Sequence, residues 1–262
     1  MRLISGFFII AVAVLSSCVS NKQYTYLQKN DVNVDNLKKD TVVRTYENAA
    51  FEYKVQPNDL LHVQFESLTP SEYNFLTKSS DGGTNLNMNI SNALLFGQLV
   101  DENGEIPFPI LGKVRVAGLS IFKVQDTLQS IADQYLESPV VKVRLLNFRF
   151  TVLGEVNKEG TIVLQNNRVN ILEAIGWAGG LGELADRANV KIIRQNGNTT
   201  EVQYINLLDE NLIKSPYYYV YQNDVLIVPP MKQRPFRKYF GQNLAFAVST
   251  LSLLLLAINL SK

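Results

Sequence analysis

Between Phe150 and Gly182 the pattern of apolar and polar positions changes period twice. Phe150, Val152 and Gly154 alternate with Thr151 and Leu153, the two-residue period of a half-buried strand. After the polar turn Asn157-Lys158-Glu159-Gly160, Thr161 to Leu164 predicts a second strand, and the pair reads as a hairpin. Asn166 and Asn167 break it. Val169, Leu172, Ile175 and Gly176 then fall at helical spacing, with Asn170 as N-cap and Glu173 three residues on in a capping-box pattern. Gly179, Gly180 and Gly182 stop this helix. A glycine loop that cradles phosphate opens a helix, where N–H groups are unpaired; these glycines follow one, where carbonyls are unpaired. No lysine follows in P-loop spacing, so the loop reads as a C-cap.

Upstream, Tyr53 and Val55 lead through the turn Gln56-Pro57-Asn58-Asp59 into a strand from Leu60 to Phe65, with Val63 and Phe65 on one face. Gln222-Asn223-Asp224 before Val225 to Val228 echoes that turn, either as a shared unit or as common turn chemistry. Ser67 to Leu95 is polar and rich in asparagine, a long insertion of the type that carries function or mobility. Strands resume at Phe96 to Val100, and Pro107 and Pro109 confine Ile106 to Ile110 to a sheet edge. Leu119-Ser120 caps a predicted helix whose apolar face holds Ile121, Val124, Leu128, Ile131 and Tyr135. Pro139 ends that region and Val140 to Phe150 alternates again.

The two ends differ from this middle. Met1-Arg2, the apolar Leu3 to Val14 and Leu15-Ser16-Ser17-Cys18 form a signal peptide whose cleavage site ends in cysteine. From Val19 to about Ala50 the chain is polar without sustained period and reads as a tether, with a short pairing strand as an option. At the other end, the basic residues Lys232, Arg234, Arg237 and Lys238 precede an uncharged apolar run, Leu244 to Leu260. At 1.5 Å per residue its roughly 17 residues reach about 26 Å, which predicts a membrane helix. Gln242, Ala245, Ser249, Ser252, Leu256 and Asn259 recur along it in a seven-residue pattern, a seam of small and polar side chains.

Composition removes several function classes. The 262 residues carry a formal net charge of +1, with cations scattered except near the C-terminus, which gives no nucleic-acid signature. Cys18 and His62 are the only Cys and His, so there is neither a disulfide nor a Cys/His metal cluster. His62 alternates with strand residues and has no nucleophile beside it in sequence. The sequence therefore predicts no catalytic residue, no metal site and no cofactor. Tyr217, Tyr219 and Tyr221 would share a strand face, where packing is the stronger reading and stacking on sugar rings the alternative.

Several motifs in one order now carry a resemblance. Tyr53 to Asp59, Gly104 to Gly112 and Ser138 to Val143 resemble the polysaccharide biosynthesis/export domain. Val152 to Val156 with Gly160, Ile171 to Ala174 and Ala178 to Leu181 resemble the soluble-ligand-binding β-grasp (SLBB) unit that follows it in Wza-like outer-membrane export lipoproteins. Glu159 stands where the family often has proline, a single β-grasp unit is evident, and the insertion 67–95 does not align with the family pattern. Leu15 to Cys18 resembles a lipobox, which implies acylation of Cys18, and Val19 after it favours outer-membrane delivery.

The resemblance implies an α+β fold: signal peptide 1–17, tether 18–50, export domain 51–146, β-grasp domain 147–230, then a basic linker and membrane helix over 231–262. It further implies a homo-oligomer whose terminal helices ring the outer membrane around capsular or exopolysaccharide in transit. An inner-membrane chain-length-regulating copolymerase or tyrosine autokinase is the implied partner. A ligand-binding or scaffold lipoprotein without a conduit is the alternative.

Overall fold

Residues 21–29, 40, 42–47, 51–69, 97–109, 112–197, 199–232 and 234–260 are described by a computed structural model. The signal peptide, Cys18 and all but the first residues of the 67–95 insertion lie outside them. The first half of the fold is a sheet in the order β2-β1-β5, built from β1 (Leu60–Glu66), β2 (Gln98–Leu99) and β5 (Val140–Leu145). Both neighbours run antiparallel to β1, with Val63 opposite Val143 and Phe65 opposite Val141. Leu61, Val63 and Phe65 turn inward, as the two-residue period demands; His62 lies on the other face opposite Arg144. β3 (Glu105–Phe108) and β4 (Gly112–Arg115) form a separate two-stranded ribbon, where Pro107, lacking an N–H, sits without disrupting a central ladder.

Helix α1 (Ile121–Ala132) covers the first sheet with Val124, Leu128 and Ala132. Ser120 caps it by accepting from the Lys123 N–H at 3.4 Å. Tyr135, expected on its apolar face, instead falls beyond the last helical turn and is 51% exposed. The chain tightens there, with the Gln134 and Tyr135 N–H groups reaching back only three residues, to the Ile131 and Ala132 carbonyls.

The second half is a mixed sheet in the order β10-β9-β12-β6-β7. β6 (Phe148–Gly154) and β7 (Gly160–Leu164) are the predicted hairpin, with Phe148 paired to Leu164 and Val152 to Gly160. β9 (Val190–Asn196) and β10 (Thr199–Ile205) are a second hairpin, and β12 (Val225–Val228) inserts between β9 and β6, parallel to β6. A short pair, β8 (Val169–Asn170) with β11 (Tyr219–Val220), leads into helix α2 (Ile171–Trp177). The capping box is formed in full. Asn170 Oδ1 accepts from the Leu172 and Glu173 N–H groups, and Glu173 accepts from the Asn170 N–H at 3.0 Å. α2 buries Ile171, Ala174 and Ile175, which join Phe148, Phe150 and Val152 in a hydrophobic core continuous with that of the first sheet.

Gly154, Gly160, Gly179 and Gly180 all take positive φ. At Gly179 (φ +75°) the conformation ends α2, where the Gly180 N–H returns to the Ile175 carbonyl at 2.9 Å.

The last helix, α3 (Arg234–Leu260), contains the whole run Leu244 to Leu260 that the sequence assigns to a membrane helix. It is 27 residues long and begins well before the apolar run, taking in Arg234, Arg237, Lys238, Gln242 and Asn243. Ser249, Thr250, Ser252 and Asn259 then interrupt its apolar stretch. Among the described residues no helix is long and apolar enough to cross a membrane.

Candidate functional site

Two identical turns meet at the join between the halves of the fold. In one, Asp59 accepts from the Gln56 N–H at 2.8 Å; in the other, Asp224 accepts from the Tyr221 N–H at the same distance. Asn58 and Asn223, at φ 70° and 63°, hold the left-handed position that asparagine tolerates best after glycine. Asn147 clamps the first turn, accepting from the Leu60 N–H (2.9 Å) and donating to the Asn58 carbonyl (3.1 Å). Its own carbonyl accepts from Gln222 of the second turn at 2.9 Å, and Gln222 in turn accepts from the Arg149 N–H at 2.8 Å. The echo in sequence is thus one turn geometry used twice to hold the crossing strand.

The two aspartates are almost completely buried but differ in their partners. Asp224 receives a bidentate guanidinium from Arg194, at 2.7 and 3.0 Å. Burial still pushes its carboxyl up, against the pull of that arginine. Asp59 has only the Tyr53 hydroxyl (2.6 Å) and the backbone N–H, and burial pushes its carboxyl up to about 6. An unfolded aspartate titrates near 3.9, so between about pH 4 and 6 the folded chain holds a proton that the unfolded chain does not, and stability falls as pH rises. Asp59→Asn mimics the protonated group. Its stability relative to wild type should rise by about 2 kcal/mol from pH 4 to pH 7 in urea unfolding; a pH-independent difference would contradict this.

Beside the second turn lie the tyrosines singled out in sequence. They do not share a strand: only Tyr219 lies in β11, because Tyr218 closes a turn onto Ser215 and the turn held by Asp224 claims Tyr221. They converge nonetheless. Phe51 stacks on Tyr219 with ring centroids 4.9 Å apart and meets Tyr221 edge-on at 5.1 Å. The Arg194 guanidinium lies 4.0 Å from the Tyr221 centroid and 5.1 Å from that of Tyr217. Two clefts flank this cluster. One of about 610 Å³ is lined by Tyr46, Phe51, Tyr218, Tyr219 and Tyr221; the other, about 380 Å³, by Lys54, Arg194, Glu201, Tyr217 and Tyr221. Phe51, Arg194 and Arg168, whose guanidinium donates to the Tyr219 hydroxyl at 3.0 Å, are members of the cluster that sequence reasoning missed.

The described parts of the tether are docked rather than free. Leu27 and Gln28 donate to the carbonyls of Leu207 and Leu208, so that Gln28 forms a parallel bridge with Asp209. Further along, Glu210 accepts from Arg44 and from the Tyr46 hydroxyl, each at 2.7 Å. The first segment begins beside the start of the last helix, since Gln23 lines a cleft with Met231 and Lys232. From there α3 carries Leu244, Phe246, Val248, Leu253 and Leu256 exposed. Of the seam residues, Ala245, Ser249, Ser252 and Asn259 are also exposed. The Ser249 and Ser252 hydroxyls donate to the Ala245 and Val248 carbonyls at 2.8 and 2.9 Å, which lets a serine face apolar surroundings without an orphan donor. Among the described residues no group of His, Cys, Asp and Glu side chains could hold a metal.

This architecture, an export-type domain joined through one clamped strand to a β-grasp-like sheet, matches two families. Residues 47–146 match the polysaccharide biosynthesis/export protein family and residues 148–228 the SLBB domain. The two matches together support a polysaccharide export protein with an SLBB domain, and the export family is not an enzyme family. Among curated proteins it is similar to the EPS I polysaccharide export outer membrane protein EpsA of Ralstonia solanacearum and to that of Ralstonia nicotianae. Each is 29% identical over 102 residues, which cover 37% of this chain and 27% of the relative. The match thus spans about a quarter of those relatives' length.

Proposed function

We propose that the protein is an outer-membrane lipoprotein that assembles with copies of itself into a conduit carrying capsular polysaccharide or exopolysaccharide to the cell surface. The observation that carries this reading is the convergence of both ends. Gln23, close in sequence to Cys18, and Met231-Lys232, next to the start of α3, share one cleft. Acyl chains on Cys18 would therefore hold the SLBB side of the body toward the membrane, with the export domain directed into the periplasm. A single α3 leaves its apolar side chains uncovered, and packing against α3 of neighbouring copies along the Ala245, Ser249, Ser252 and Asn259 seam would cover them. The relatives' outer-membrane export role supports the cargo. Sugar contact is proposed at the two clefts that Tyr217, Tyr219 and Tyr221 line. The inner-membrane partner is a chain-length-regulating copolymerase or tyrosine autokinase.

Anchoring is tested at Cys18. Cys18→Ser should leave an uncleaved precursor that incorporates no labelled palmitate, with surface polysaccharide reduced. Normal maturation and acylation in that variant would refute the lipid anchor.

A further inference from the structure

Arg187 is buried, with 8% exposure, yet no carboxylate pairs with it among the described residues. One terminal nitrogen donates to the Ala185 carbonyl at 3.2 Å, while its Nε has no acceptor. The Tyr24 and Tyr26 rings stand 4.9 and 5.8 Å from the guanidinium carbon. Such cation–π contacts offset only part of the desolvation of a buried cation. The adjacent Asp186 does not supply the missing acceptor: its oxygens accept from the Ala188 N–H at 3.0 Å and the Asn189 amide at 2.9 Å.

Arg187 lines a cleft of about 200 Å³ with Gln23, Asp186, Leu208, Met231 and the exposed Lys232. That is several times the roughly 30 Å³ share of one water. Two cations against one carboxylate leave the cleft net positive, so a neutral sugar would not compensate it. A planar guanidinium with an unused N–H is matched to a tetrahedral oxyanion, and the mobile ammonium of Lys232 can follow it from the rim.

We propose that this cleft binds a phosphate group, an oxygen of which accepts from the Arg187 guanidinium while Lys232 supplies the second positive charge. The group arrives either as a phospholipid headgroup, the cleft lying beside the segment that follows Cys18, or as free phosphate. The site rests on Arg187 and Lys232 and stands whether or not the chain forms a conduit.

The test uses the full-length protein in neutral detergent, with its thermal midpoint followed against inorganic phosphate at chloride-matched ionic strength. The wild-type midpoint should rise along a saturating curve. Arg187→Met should keep its phosphate-free midpoint, because an unpaired buried charge is replaced by an apolar chain, and should lose the rise. Lys232→Gln, at an exposed position that tolerates change, should weaken the apparent affinity about tenfold, and it carries the test alone if the Arg187 variant does not fold. Lipid nanodiscs separate the sources: a higher midpoint in phosphatidylglycerol than in uncharged galactolipid, erased by either substitution, assigns the headgroup. A phosphate response without that lipid preference assigns free phosphate. An equal phosphate response in all three proteins, or none in wild type, would overturn the site.

Discussion

Gly154→Val should lose about 4 kcal/mol or more of stability, placing it among the exceptional single substitutions. Gly154 has φ +98°, and a β-carbon built there would stand 2.1 Å from the carbonyl oxygen of Val228. Left-handed strain alone costs about 1 to 3 kcal/mol. The larger part follows from what the intruding carbon strikes, which is main chain rather than a side chain that could rotate away. Val228 is paired with Gly154 in the parallel β6–β12 ladder, and its carbonyl accepts from the Glu155 N–H at 2.9 Å. Relief requires β12 to part from β6 in the middle of the mixed sheet. Urea unfolding should show the loss directly, and a midpoint equal to wild type would mean that β12 is not paired as described. Gly179→Val should cost less, because its added carbon would meet side chains rather than main chain, Asn157 at 3.2 Å and Lys158 at 3.5 Å.

Removing residues 240–262 should abolish surface polysaccharide while leaving the remaining chain folded. The described core contains no residue of α3, so its loss uncovers no buried side chain among those described. What disappears is the exposed apolar helix and its small-residue seam. A milder change, Ser249→Leu with Ser252→Leu, removes the small contacts through which copies approach and should reduce assembly with little effect on folding. Cell-surface polysaccharide, measured beside the midpoint of the truncated protein, separates the two consequences. Unchanged polysaccharide after truncation would favour the scaffold reading.

How much of this was legible in sequence follows from the range of the contacts. The β6–β7 hairpin and the Asn170 capping box depend on residues within one turn of each other, and their periods and turn residues state them directly. The β9–β10 hairpin also had a local signal, Asn196-Gly197 after the alternating Val190 to Ile193, which the sequence reading passed over. The insertion of β12 between β9 and β6 had none, because parallel pairing across a long connection leaves no local pattern. Polarity marked residues 18–50 as a tether, yet Arg44 and Tyr46 dock on Glu210, far away in the chain. The site was legible only in its aromatic members. Tyr217, Tyr219 and Tyr221 are brought together by Phe51 and Arg194, and an arginine on an otherwise ordinary strand carries no mark of the ring it will cover.

Imaging and weighing the detergent-extracted full-length protein will show whether the chain works as an assembly of copies around a passage. Closed rings of several copies with a central opening are the expected result. A homogeneous population of single copies, with export intact in the same cells, would contradict it.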